Sequence, residues 1–157
     1  MEVAPRGGGL VLDYRLTGAT AKLVLPPPAA PTRADELWRR TCFEAFVRTA
    51  TSEAYFEFNF SPSGAWAAYG FSAYRTGMSP ARGLVAPLVE VARTAGSLRL
   101  RAWLEPPCDP PWRLGLSAVI EEGNGRKSYW ALRHPPGRAD FHHLEGFAYE
   151  LPSADGP

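Results

Sequence analysis

Cysteine, methionine and histidine are all scarce in this sequence, with 2, 2 and 3 copies among 157 residues. Cys42 and Cys108 belong to no CxxC pair, which gives a cysteine-ligated zinc site no footing. No CxxCH motif offers covalent haem attachment. No apolar run approaches the ~20 residues of a membrane helix. The opening MEVAPRGGGLVLDY lacks the basic start, apolar stretch and small-residue cleavage site of a secretory signal. The expected location is therefore the cytoplasm, where two cysteines stay reduced, and Cys42 reads as a small buried hydrophobe. Charge of one sign is missing too: 17 Lys and Arg balance 16 Asp and Glu for a net +1. Such a balance argues against nucleic acid and against an anionic membrane surface as partners. GxSxG elbows, a Ser-His-Asp order and phosphate-cradling glycine loops are absent.

What the chain has is aromatic residues, at 12%, and 16 prolines. The length suits one domain spanning residues 1–157. Residues 42–75 organise it. Strand-like runs cover Cys42 to Thr49, Tyr55 to Ser61 and Ala65 to Arg75, the last two joined by a Ser-Pro-Ser-Gly turn. In the middle run Phe56, Phe58 and Phe60 alternate with Tyr55, Glu57 and Asn59, and a period of two sends the phenyl rings to one face and the polar groups to the other. Burying three phenylalanines is worth on the order of 5 to 9 kcal/mol before chain entropy, so this strand's facing is strongly specified. On that basis Phe58→Ala is expected to be costly, and Asn59→Ala to leave the fold nearly intact.

Elsewhere Gly7 to Gly9 reads as a flexible leader, followed by a strand pair, Leu10 to Leu16 with Ala21 to Leu25, around Thr17-Gly18. PPPAAPTR cannot continue a ladder, because proline lacks the amide donor. DELWRR fits either a helical turn or an extended approach. Leu84 to Val91 and Ser97 to Leu104 form another pair, with Leu98, Leu100, Ala102 and Leu104 inward and Arg99, Arg101 and Trp103 outward. Leu114 to Glu121 and Lys127 to Arg133 flank the hairpin signal Asn124-Gly125. Phe147 to Leu151 precedes the polar tail PSADGP. Roughly nine or ten short strands and no long helix predict an all-β fold, an antiparallel β-sandwich.

Two constellations carry candidate chemistry. Glu44 shares the parity of Cys42 and Phe46, so it joins Glu57 and Asn59 on one face if the two strands pair, with Trp66, Tyr69, Tyr74 and Arg75 supplied by the adjoining run. Carboxylates and amides bond sugar hydroxyls, and Trp and Tyr stack on pyranose faces. The competing reading makes those aromatics packing residues and Glu57 with Arg75 a structural ion pair. Glu44 and Glu57 also have the composition of a glycosidase pair, without a further catalytic motif. The second constellation, Ser128 to His143, holds all three histidines, His134, His142 and His143, with Asp140. These residue types bind zinc or iron, but neighbours on a strand point oppositely, and Asp140 with one histidine can instead fasten the loop. Met78 paired with His134 or His143 would suit b-type haem.

The blocks LWRRTCFEAFV (37–47), YFEFNFSPSGAWAAYGFSAYRTGM (55–78), SYWALRHPP (128–136) and DFHH (140–143) resemble the DOMON-like group of bacterial proteins, which are similar in turn to family 9 carbohydrate-binding modules. The resemblance implies an immunoglobulin-like or jelly-roll sandwich that binds a sugar or a haem and is not itself catalytic. In the sugar-binding relatives two tryptophans sandwich the ligand and polar groups hold its hydroxyls. The matching positions are Trp38, Glu44, Glu57, Asn59, Trp66, Arg75 and Trp130. The leading expectation is a non-catalytic module for a carbohydrate or sugar-derived metabolite, without cofactor. The alternatives are a haem b or metal protein using the C-terminal histidines, and a protein-interaction domain whose simplest partner is a second copy, forming a homo-oligomer.

Overall fold

In this computed structural model, which describes residues 1–152, two antiparallel sheets enclose one apolar layer. The strands are β1 (Glu2–Arg6), β2 (Gly9–Thr17), β3 (Cys42–Thr49), β4 (Tyr55–Phe60), β5 (Trp66–Phe71), β6 (Ser79–Pro80), β7 (Leu88–Thr94), β8 (Ser97–Leu104), β9 (Trp112–Glu121), β10 (Lys127–Ala131) and β11 (Tyr149–Leu151). The smaller sheet has the order β1-β2-β8-β7. The larger runs β10-β9-β3-β4-β5-β6, with β11 also pairing β9. Three short 3-10 turns, Thr20–Lys22, Leu37–Arg39 and Leu144–Gly146, complete the regular structure. The expected β-sandwich is the observed fold. The polar tail beyond Pro152 lies outside the described residues.

Side-chain alternation builds the core. Leu98, Leu100, Ala102 and Leu104 are buried with Leu10, Leu12 and Tyr14 of the neighbouring strand. The larger sheet answers with Phe43, Ala45 and Val47, with Phe58 and Phe60, and with Leu114, Leu116, Ala118 and Ile120. The phenylalanines of β4 face inward as their spacing requires, Phe56 being half-buried at the end of the row. Tyr14 ties the layers together: its hydroxyl donates to the Glu44 carbonyl at 2.7 Å.

Several local expectations change. Gly7 and Gly8 are the two-residue turn of a hairpin, not a leader: Arg6 faces Gly9, and both glycines have positive φ (56° and 82°), the conformation a tight hairpin demands and glycine supplies without strain. Pro5 had disguised β1, and its place on the sheet edge is where proline is tolerated. Residues 21–25 form no strand pair with β2, whose two edges are already taken by β1 and β8; they make a 3-10 turn and a single bridge from Leu23 to Glu122. The run expected at Leu84 begins only at Leu88, after Pro87. DELWRR is resolved as the 3-10 turn at Leu37–Arg39. The hairpin at Asn124-Gly125 forms, with Gly125 at φ 81°. Cys42 is fully buried, and both cysteines are free.

Candidate functional site

The outer face of the larger sheet follows from its register. Opposite residues of an antiparallel pair share a face: Ser117, Glu44, Asn59 and Ala67 form one row across β9, β3, β4 and β5, and Gly115, Phe46, Glu57 and Tyr69 form the next. Two carboxyl groups thus lie on adjacent strands, one row apart. The face is closed at one end. There Phe46, Tyr55, Phe71 and Phe147 make a second apolar cluster with Phe141 packed on it. Gly115 admits this cover: a Cβ at that position would come within 2.8 Å of the Gly146 carbonyl oxygen. At the other end the face opens into a cleft of about 510 Å³, lined by Glu44, Glu57, Val119, Trp38, Phe71, Tyr129, Phe141 and Met78, with Arg39, Arg75, Lys127 and His142 among its polar groups.

Both acids are deeply set, Glu44 at 3% exposure and Glu57 at 5%. Burial, then the charge of Glu57, pushes the Glu44 carboxyl from its ordinary 4.5 to about 8, against the opposing pull of a hydrogen bond from Ser117 Oγ at 3.2 Å. Glu57 is also raised by burial, in part offset by Asn59 Nδ2, which donates to its Oε1 at 2.8 Å. Near neutral pH Glu44 is therefore mostly a neutral acid, able to donate as well as accept.

A loop network holds the wall above the acids. Asp140 accepts from Arg75 Nη2 at 2.7 Å, from the His142 amide at 3.1 Å and from the Tyr74 hydroxyl. Arg75 has a left-handed backbone (φ 51°), which is strained for a non-glycine residue; its amide donates to Tyr55 Oη at 3.2 Å. Tyr55 Oη and His142 Nδ1 are 2.8 Å apart. Burial first, and Arg75 next, push the His142 pKa down to about 4. His142 Nε2 lies 3.8 Å from Glu57 Oε2, beyond direct hydrogen-bonding range.

Of the seven positions implied by the resemblance, Trp38, Glu44, Glu57 and Arg75 meet in the cleft. Asn59 is fully buried beside them and holds Glu57 through its amide. Trp66 and Trp130 are not in it. Trp66 pairs with Phe60 and Trp130 with Ala118, so both lie on the core side of the sheet, Trp66 half-buried against the core and Trp130 exposed at the edge beside a separate hollow. Strand alternation gives the place beside the cleft to Tyr129, the residue before Trp130. The ion pair read between Glu57 and Arg75 is instead Arg75 with Asp140. Asp140 does fasten the histidine loop. Among the described residues no group of three His, Cys, Asp or Glu side chains converges at metal-binding distance: His143 Nδ1 accepts from the Glu145 amide, and His134 packs against Phe141. Met78 reaches the cleft, but His134 and His143 do not line it. Arg39, Lys127, Phe71 and Phe141 carried no sequence signal for the site, since they come together only through tertiary packing.

The burial of Asn59 revises one expectation. Asn59→Ala leaves Glu57 Oε1 without its donor, and the expected loss is about 1 to 3 kcal/mol, the cost of an unmet buried acceptor. Urea unfolding at constant pH checks it, and an unchanged midpoint would show that the bond contributes nothing.

No protein-family model and no curated protein matches the chain. Among solved structures it is similar to a crystal structure from Bacteroides uniformis described as a "putative carbohydrate-binding protein", at 16% sequence identity and a TM-score of 0.61, over 92% of this chain and 73% of that one. At that identity the likeness establishes a shared β-sandwich fold.

Proposed function

We propose that this protein is a non-catalytic binding module for a carbohydrate or sugar-derived metabolite, seated in the cleft over Glu44 and Glu57. The observation that carries the reading is the pairing of two buried carboxyl groups with aromatic walls, Trp38 and Tyr129, in an open hollow. A volume of about 510 Å³ falls within the usual range of small-ligand sites. Trp38 is held by an edge contact with Tyr69 (ring centroids 6.2 Å apart), and Tyr69 Oη donates to Asp35 at 2.7 Å. A stacking ring fixed in advance loses little entropy when a sugar arrives. The cleft's two carboxyl groups and imidazole offer both donors and acceptors, which suits ring hydroxyls, themselves able to donate and accept. The sandwich shared with the Bacteroides neighbour is compatible with this role.

Isothermal titration with mono-, di- and amino sugars tests the proposal. Binding to at least one of them is expected, and Trp38→Ala is expected to weaken it by about ten-fold, the worth of one stacking contact. Trp130→Ala, on the opposite face, should leave it unchanged. No heat with any sugar at millimolar concentration, or equal losses in the two variants, would remove this reading.

A further inference from the structure

Among the described residues, the cleft floor holds two carboxyl groups and no cation bonded to either. Glu44 lines the cleft and is nearly all buried, with its Oε2 bonded to Ser117; its Oε1 has no hydrogen-bond partner among the described residues. Glu57 has Asn59 on Oε1, while its Oε2 faces only the distant His142 Nε2. The cations around the cleft are engaged elsewhere. Arg75 is bonded to Asp140, Arg39 to Glu36 at 2.7 Å, and Lys127 Nζ donates to the Arg39 carbonyl at 2.6 Å. Two neighbouring buried acids without a counter-ion are costly while both are ionised. Either one holds a proton or a ligand brings the positive charge.

An ammonium has three donors, no acceptor and a compact charge. Such a group fits the unpartnered oxygens of Glu44 and Glu57, while aromatic faces nearby favour both a cation and the apolar face of a sugar ring. We infer that the cleft selects amino sugars, the protonated amine seating between Glu44 and Glu57 while the ring lies against Trp38. This rests on the carbohydrate reading above.

A proton movement accompanies it. The groups beside Glu44 are Cys42 on its own strand, Glu57 and Asn59 on β4, Ser117 on β9 and Tyr14 on β2, while Arg39, Lys127, Tyr129, Arg75 and His142 line the same cleft. None of them neutralises its carboxylate by direct contact, so at neutral pH the acid is mostly protonated. An arriving ammonium reverses that preference, and Glu44 releases its proton to the buffer. Affinity for the amine therefore rises with pH until the amine itself loses its charge.

The test is calorimetric titration of the whole protein with a free hexosamine, its N-acetyl derivative and the parent neutral hexose, in two buffers of different ionisation enthalpy. The hexosamine is expected to bind on the order of ten-fold more tightly than the other two, as a charge-assisted bond exceeds a neutral one, with net proton release seen for it alone. Glu44→Gln, an uncharged isostere, should cost the hexosamine its advantage over the other two sugars and abolish the proton release. Equal affinities in the native protein, or a preference that survives in Glu44→Gln, would overturn the selectivity and leave carbohydrate binding standing. Silence with all three sugars would overturn both.

Discussion

Replacing Glu44 by glutamine is expected to stabilise the protein by about 5 kcal/mol near pH 9 and by almost nothing near pH 4. In the folded protein the Glu44 carboxyl titrates at about 8, against 4.5 ordinarily, because the sheet and the cleft wall remove its water and Glu57 stands close. Between those two values the folded state retains a proton that the unfolded chain has released. Stability conferred in acid is therefore lost as pH rises through this window. Each unit of difference is worth about 1.4 kcal/mol, which gives the size of the effect. Glutamine keeps the side chain's shape and removes its charge, so the slope disappears. His142 works in the opposite sense: its folded value of about 4 lies below its ordinary 6.5, so it contributes stability above 6.5 that is lost as pH falls toward 4. Subtracting native from variant stability cancels the histidine and leaves the carboxyl. Urea unfolding of both proteins across the range provides the measurement. A difference that stays flat from 4.5 to 8 would show that Glu44 is neither sealed from water nor proton-bearing.

Phe58→Ala is expected to cost about 3 to 5 kcal/mol, the range for deleting a buried phenyl ring from a packed core. Phe58 is fully buried, stacks against Phe60 with ring centroids 6.5 Å apart, and lies between Ala45 and Ala68 on the flanking strands. Those alanines are too small to reach into the vacated space, and β4 is bonded along both edges, so the sheet cannot close over the cavity. Denaturant unfolding with an unchanged slope and a lower midpoint is the expected signature. Sugar binding should persist under folding conditions, since the acids project from the opposite face of the same sheet. A loss below about 1 kcal/mol would place Phe58 outside the load of the core.

The cleft was partly visible in the chain. Parity puts Glu44, Glu57 and Asn59 on one face provided that the two strands pair, and the register shows that they do. Parity also bears on Trp66 and Trp130, but their assignment to the site came from the resemblance, and the strands turn both toward the core side. Trp38, by contrast, lies in a short 3-10 turn whose conformation the sequence left open, and it reaches the cleft because that turn packs beside β3 and β4. The charge state of the acids was beyond any local reading. It depends on Ser117, 73 residues from Glu44, and on a loop near residue 140 that excludes water from one end of the face.

The sequence by itself determined which side of the central strands is apolar, where the Asn124-Gly125 turn falls and that the chain forms stacked sheets, because alternation and turn chemistry act over a few neighbouring residues. Only the tertiary structure decided that the polar face is roofed at one end and hollow at the other, that Asn59 is buried support, and that Tyr129 borders the hollow while Trp130 faces the other way. Those outcomes depend on which distant segments settle over the sheet and how much water they displace, and neither is encoded within the reach of a single strand.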